Sequence, residues 1–167
     1  AQAFAPGLAG RDLLVQSRTG SGKTLAFGLP ILHRLAPEPH PQVLVLAPTR
    51  ELAQQVAEEL KTLRPDLPLA MLVGGMSYTP QLRALKYGAQ VVVGTPGRVM
   101  DHLEKETLDL SKVSMVVLDE CDEMLNMGFI DDVEKVLAKT PADRQVALFS
   151  ATMPPPIKRI ADRYLKD

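Results

Sequence analysis

The sequence predicts an α/β fold, a mainly parallel sheet with helices on both faces, and three observations carry that prediction. Six short apolar runs alternate with segments of helical period from one end of the chain to the other. Most of these runs are apolar at consecutive positions, which is how strands covered on both faces read. A glycine-rich turn stands between the first run and the first helical segment, in strand, loop, helix order. At 167 residues the chain suits one well-packed domain spanning 1–167.

The first run is Leu13–Val15, followed by the turn Gln16–Thr24 and a helical segment. Pro37–Pro41 is too short to link domains and reads as a helix-to-strand connection. The second run, Val43–Ala47, leads to a helix with Leu52, Val56, Leu60 and Leu63 on one face. Leu69–Val73, Val91–Val93 and Met115–Leu118 are the next three strands, and Ile130, Val133, Val136 and Leu137 mark a further amphipathic helix. After the sixth run, Val146–Phe149, come Pro154, Pro155 and Pro156, which a helix accepts in its first turn. The helix that they open carries Ile157, Ile160, Ala161 and Tyr164 on one side.

Hydrophobic residues make up 46% and charged ones 23%, a soluble globular balance that argues against disorder. No apolar run approaches the roughly 20 residues that span a bilayer, and the start lacks a signal peptide's basic region, so no membrane partner is expected. The single cysteine, Cys121, excludes an internal disulfide and a cysteine-cluster zinc site, and a cytoplasmic setting is the simplest inference. His33, His40 and His102 lack ligand spacing and are expected on the surface or in loops. A net charge of −1 advertises no polyanion partner, so any nucleic-acid binding must rest on a few placed groups.

In an open parallel sheet, ligands gather where the strands end and the loops feed helix N-termini. Gln16–Thr24, Pro48–Ala53, Gly74–Gly75, Thr95–Arg98, Asp119–Asp122 and Ser150–Thr152 each follow a predicted strand. In the first of these, Gly20 and Gly22 let the backbone curl with its amides inward. Lys23 supplies a charge for outer phosphates, and the Thr24 hydroxyl can ligate magnesium. The alternative is a glycine-rich surface turn; Ser17 also stands where the strict phosphate-loop pattern has its first glycine. A buried strand ending in Asp119 and Glu120 suits magnesium phosphoryl chemistry, Asp119 holding the ion through water and Glu120 orienting or deprotonating the attacking water. An ordinary acidic helix start is the alternative.

Together these motifs resemble the first RecA-like domain of a DEAD-box RNA helicase, a P-loop NTPase fold, over essentially the whole chain. The signature tetrad stands as Asp119, Glu120, Cys121 and Asp122, with cysteine where the family has alanine, a small residue that packs in the same space. The family's phosphate loop opens with alanine, so Ser17 departs by one hydroxyl. The resemblance implies that Ser17, Arg18, Thr19, Gly20, Ser21, Gly22, Lys23 and Thr24 bind ATP. It implies that Thr24 and Asp119 hold Mg2+, and that Lys23, Asp119 and Glu120 carry the chemistry. Pro48, Thr49, Arg50, Gly74, Gly75, Thr95, Pro96, Gly97 and Arg98 would grip the backbone of single-stranded RNA. Ser150 and Thr152 would bond to Asp122 and relay nucleotide state to strand separation; the alternative for Thr152 is helix capping.

The residue physics agrees with a nucleic-acid role for the middle motifs. Arg50 and Arg98 fall in first turns of predicted helices, where the macrodipole disfavours a cation unless an anion arrives. Thr95 as N-cap, Pro96 at the first helical position and Gly97 make a helix end that a phosphate can approach. Pairing of the arginines with Glu51 or Asp101 is the alternative. Met124 and Met127 are expected to pack, an exposed Met-containing face that binds a partner domain being the alternative, and Cys121 is expected to be inert, with a reactive or redox role as its alternative.

The resemblance places an adenine-reading motif just upstream of Ala1 and a second RecA-like domain, with arginine fingers and the rest of the RNA track, as the partner of this one. The isolated chain is therefore expected to bind nucleotide weakly and turn it over slowly or not at all. A DNA translocase and a non-catalytic RNA- or partner-docking module are the competing readings.

Overall fold

All six apolar runs become strands of one sheet in the computed structural model, which describes residues 12–16 and 23–166. The strands are β1 (Leu13–Gln16), β2 (Val43–Leu46), β3 (Leu69–Leu72), β4 (Val91–Gly94), β5 (Met115–Leu118) and β6 (Gln145–Ser150). Every pairing is parallel, in the order β1-β6-β5-β2-β4-β3. Seven described helices connect them: α1 (Lys23–Arg34), α2 (Arg50–Leu63), α3 (Tyr78–Lys86), α4 (Pro96–Glu104), α5 (Cys121–Asn126), α6 (Ile130–Ala138) and α7 (Pro155–Tyr164).

Burial follows strand position. The interior strands β2, β4, β5 and β6 are buried at every residue, whereas the edge strands β1 and β3 alternate. Alternate residues feed two cores. On one face Leu44, Leu46, Val92, Val116, Leu118 and Leu148 pack with Val99 of α4, Val133 and Val136 of α6 and Ile157 and Ile160 of α7. On the other, Val43, Val45, Val93, Val117 and Phe149 pack with Phe27 and Ile31 of α1 and Val56 and Leu60 of α2. Each fully buried aliphatic side chain contributes about 1.5–3 kcal/mol, so both layers are needed to hold the sheet.

Two local expectations shift, at Leu63 and at His102. Leu63 is 38% exposed, because Ala53 and Ala57 complete the buried face of α2 beside Val56 and Leu60. Pro30 lies inside α1, where it removes a helical hydrogen bond at a cost of about 3 kcal/mol. Full burial of Phe27 and Ile31 on either side of it offsets a loss of that size. His102 is a core residue with no exposed surface, while His33 and His40 lie at the surface or in a loop as expected. α7 opens at Pro155 after Pro154, the place where proline costs no helical bond. No described helix is long and apolar enough to cross a membrane.

Candidate functional site

Because all the strands run the same way, their carboxyl ends share one edge of the sheet, and strand order divides that edge in two. β1, β6 and β5 are neighbours, which groups Gln16, Ser150–Thr152 and Asp119–Asp122. β2, β4 and β3 are neighbours, which groups Pro48–Arg50, Thr95–Arg98 and Gly74–Gly75. Within the predicted phosphate loop, Ser17, Arg18, Thr19, Gly20, Ser21 and Gly22 lie outside the described residues, as do the side chains of Lys23 and Thr24. The backbone of Lys23 begins α1.

In the first group Asp119 is 2% and Glu120 6% exposed. The Asp119 amide donates to the Leu46 carbonyl at 2.9 Å, tying the tetrad to β2. Glu120 adopts a left-handed backbone, φ 50°, ψ 55°, at the turn from β5 into α5. For a residue with a side chain this costs on the order of 1–3 kcal/mol, and such strain collects at working sites. Cys121 has no exposed surface, and burial, reinforced by the Asp122 charge, pushes its thiol up to about 12. It is therefore expected to resist iodoacetamide in the folded protein at about pH 8 and to react after unfolding in urea. Rapid labelling of the native chain would count against a packing role. Met124 is fully buried, but Met127 is 47% exposed and does not pack as expected.

Asp122 faces the segment after β6. Its Oδ2 accepts from the Thr152 amide at 3.1 Å and the Thr152 hydroxyl at 3.0 Å, and its own amide donates to Ser150 Oγ at 3.2 Å. The Ser150 hydroxyl donates onward to the Thr152 carbonyl at 2.6 Å. Thr152 does not cap α7, which starts three residues later with Pro154 as its N-cap residue. Burial raises the Asp122 carboxyl, but the bonds from Thr152, Glu123 and Ser150 outweigh it and hold the group below its ordinary value. A depressed carboxyl stabilises the fold above its unfolded pKa of about 3.9, and this contribution is lost as pH falls through the lower folded value. Gln16 at the end of β1 donates from Nε2 to the Ala151 carbonyl at 3.2 Å, so the strand that leads into the predicted phosphate loop is joined to the same segment.

In the second group Thr49 caps α2, its hydroxyl oxygen accepting from the Leu52 amide at 3.2 Å, and this places Arg50 at the first helical position. Arg50 pairs with Glu51 at 3.7 Å across exposed surface, a contact of little energetic weight. Its Nη1 would lie 3.2 Å from any Cβ at residue 75, where φ is +76°, so Gly75 meets both the backbone and the crowding requirement. Thr95 is the N-cap residue of α4 without a side-chain cap bond, Pro96 follows at the first position, and Gly74 and Gly97 face open space. Arg98 donates from Nη1 to the Met76 carbonyl at 3.0 Å and to Gln81 Oε1 at 3.3 Å, and its guanidinium lies 4.5 Å from the Tyr78 ring centroid. Asp101 is bonded instead by the Tyr78 hydroxyl and Lys105. A groove of about 490 Å³ runs past Gly74, Thr95, Gly97 and Arg98, with Asp101 and Asp132 also in its lining.

Two residues beside this group were not anticipated. Gln81 is 4% exposed and touches both Arg98 and His102. His102 was legible in principle, since Pro96, Val99 and His102 recur every third residue along α4 and all three are buried. A lone glutamine on α3 carries no comparable signal.

The family model described as DEAD/DEAH box helicase matches residues 1–160. The chain is 57% identical over 164 residues to the ATP-dependent RNA helicase DeaD of Haemophilus influenzae, covering 96% of this chain and 27% of that protein. It is 54% identical to the ATP-dependent RNA helicase CshA of Listeria monocytogenes, covering 95% of this chain and 31% of the relative. The chain thus spans about a quarter to a third of the curated relatives it matches. Among solved structures, a DEAD box protein from the hyperthermophile Methanococcus jannaschii superposes with a TM-score of 0.94 at 44% identity, over 99% of this chain and 46% of that one. The yeast DEAD-box splicing factor Prp28 superposes at 0.90 and 37% identity, over 98% of this chain and 42% of its own.

Proposed function

Since the chain belongs to the DEAD/DEAH box helicase family, we propose that it is the first RecA-like domain of an ATP-dependent RNA helicase. Joined to a second such domain, it would unwind short duplexes or remodel RNA–protein complexes. The observation that carries this reading is the division of one sheet edge into adjoining halves. One presents the buried acids Asp119 and Glu120, the other presents Arg50, Arg98 and open glycines.

On the first half, Ser17 to Thr24 would cradle ATP, with Lys23 on the outer phosphates. The Thr24 hydroxyl and Asp119 would hold Mg2+. No cluster of three or more His, Cys, Asp or Glu among the described residues could hold an ion by itself. Magnesium is bound through one or two carboxylates together with water and phosphate, which the carboxylate of Asp119 at a buried strand end would suit. When bound, the ion neutralises charge that develops on the transferring phosphoryl group. Glu120 would orient or deprotonate the attacking water.

On the second half, Pro48, Thr49, Arg50, Gly74, Gly75, Thr95, Pro96, Gly97 and Arg98 would meet sugar and phosphate, not bases. In the full-length protein Arg98→Ala is therefore expected to weaken single-stranded RNA binding about tenfold or more, equally for unrelated sequences. A loss that depends on sequence, or stronger stimulation of ATP turnover by DNA than by RNA, would contradict this reading. Asp122, with Ser150 and Thr152, would couple the halves. Ser150→Ala with Thr152→Ala is expected to leave ATP and RNA affinities in place and remove unwinding, measured as strand displacement from a short labelled duplex. The isolated chain is expected to turn ATP over about a thousandfold more slowly than the full-length protein, for want of arginine fingers.

A further inference from the structure

A buried amide joins the two motifs that frame the nucleic-acid half of the edge. Gln81 Nε2 donates to the Val73 carbonyl at 3.0 Å, at the end of β3 and immediately before Gly74. A carbonyl only accepts, so the amide's orientation is set and Oε1 is the atom that faces Arg98 Nη1 at 3.3 Å and His102 Nε2 at 2.8 Å. Both neighbours must donate. His102 therefore carries its hydrogen on Nε2, and Nδ1 accepts from the Thr107 hydroxyl 2.7 Å away, a hydrogen for which the His102 carbonyl competes at 3.1 Å. Burial, followed by the nearby Arg98 charge, holds His102 below the usual histidine range, which favours the neutral ring. The chain of bonds thus runs from β3 through α3 to Arg98 and His102 of α4.

We propose that Gln81 is a positioning residue for Arg98, clamping its guanidinium to the strand end that bears Gly74 and Gly75 so that both meet a nucleic-acid backbone in a preset arrangement. This rests on the RNA reading given above. Arginine has many rotamers, and one held before binding loses less freedom on meeting a phosphate. Both hydrogen bonds use Nη1, only part of the five N–H groups a guanidinium carries. His102 in turn holds Gln81 from the side facing the core.

The test is a double-variant cycle in the full-length protein, with single-stranded oligouridylate binding read by fluorescence anisotropy at fixed salt. Gln81→Leu is expected to raise Kd about tenfold. Gln81→Leu combined with Arg98→Ala should bind no more weakly than Arg98→Ala alone. Additive losses, or an unchanged Kd in Gln81→Leu while Arg98→Ala is impaired, would overturn the positioning role and leave the RNA reading intact. A wild-type Kd in Arg98→Ala would instead remove the RNA role of that motif, and the positioning role with it. If Gln81→Leu does not fold, Gln81→Met keeps the volume and completes the same cycle. The wild-type protein supplies an arm that needs no variant: nitrogen NMR shifts should report the neutral Nε2–H tautomer for His102, and an Nδ1–H tautomer would overturn the bond chain.

Discussion

Glutamine in place of Glu120 is expected to lower RNA-stimulated ATP hydrolysis by the full-length protein about 10²–10⁴-fold, the range that one positioned general base supplies. ATP affinity should stay within about twofold, because the amide keeps the shape of the carboxylate and loses only the capacity to take a proton. The backbone explains why such a substitution can be clean. Glu120 sits in a left-handed conformation that neighbours hold from both sides: the Asp119 amide is fastened to Leu46, and the amides of Glu123 and Met124 donate to the Glu120 carbonyl at 3.0 and 3.1 Å. These bonds are made by the main chain, so exchanging carboxylate for amide leaves them in place. Phosphate release under saturating RNA, beside equilibrium titration with a fluorescent nucleotide, separates the two quantities. Hydrolysis within a fewfold of wild type would remove Glu120 from the chemistry, and an equal loss of ATP affinity would make it a binding residue.

Phe149→Ala should destabilise the domain by about 3–5 kcal/mol, the usual cost of deleting a buried aromatic side chain. For a chain of this size that corresponds to a fall in Tm of about 6–20 °C. Phe149 has no exposed surface and meets Phe27 edge to face, with ring centroids 5.4 Å apart and an interplanar angle of 62°. Phe27 lies one turn into α1, the helix that Lys23 opens. Loosening this pair releases α1 from β6, so ATP affinity should weaken as well, while RNA affinity through Arg98, two strands beyond β5, is spared. Phe149→Leu, which keeps most of the volume, should cost about 1.5 kcal/mol or less. Thermal unfolding with nucleotide and RNA titrations checks all three, and a melting point unchanged in Phe149→Ala would show that the packing between these layers contributes little.

The strands were readable because the forces that make them are local. Val91–Val93 and Met115–Leu118 are apolar at every position, as buried two-sided strands must be, and both are buried throughout. Pro96 and Pro155 marked helix starts for the same kind of reason, since proline acts within a turn of its own position. Leu63 and Met127 read as packed residues and are substantially exposed, because hydrophobicity states what a side chain prefers and not whether a partner surface reaches it. His102 went the other way: a polar ring is buried where Thr107, just past the end of its own helix, and Gln81, on a different helix, satisfy it, and a partner on another helix lies beyond any periodicity.

What the amino-acid order determined alone was the set of elements, the placement of each chemistry-bearing motif after a strand, and the sidedness of most helices, all consequences of short-range sterics and burial preference. Only the tertiary structure decided which motifs are neighbours. The order β1-β6-β5-β2-β4-β3 sets Ser150 and Thr152 beside the tetrad and sets Gly74 and Gly75 beside Arg98, because parallel pairing joins strands far apart in the chain. The left-handed turn at Glu120 and the Gln81 clamp belong to the same category. Each depends on hydrogen bonds between segments that meet only after the sheet has assembled.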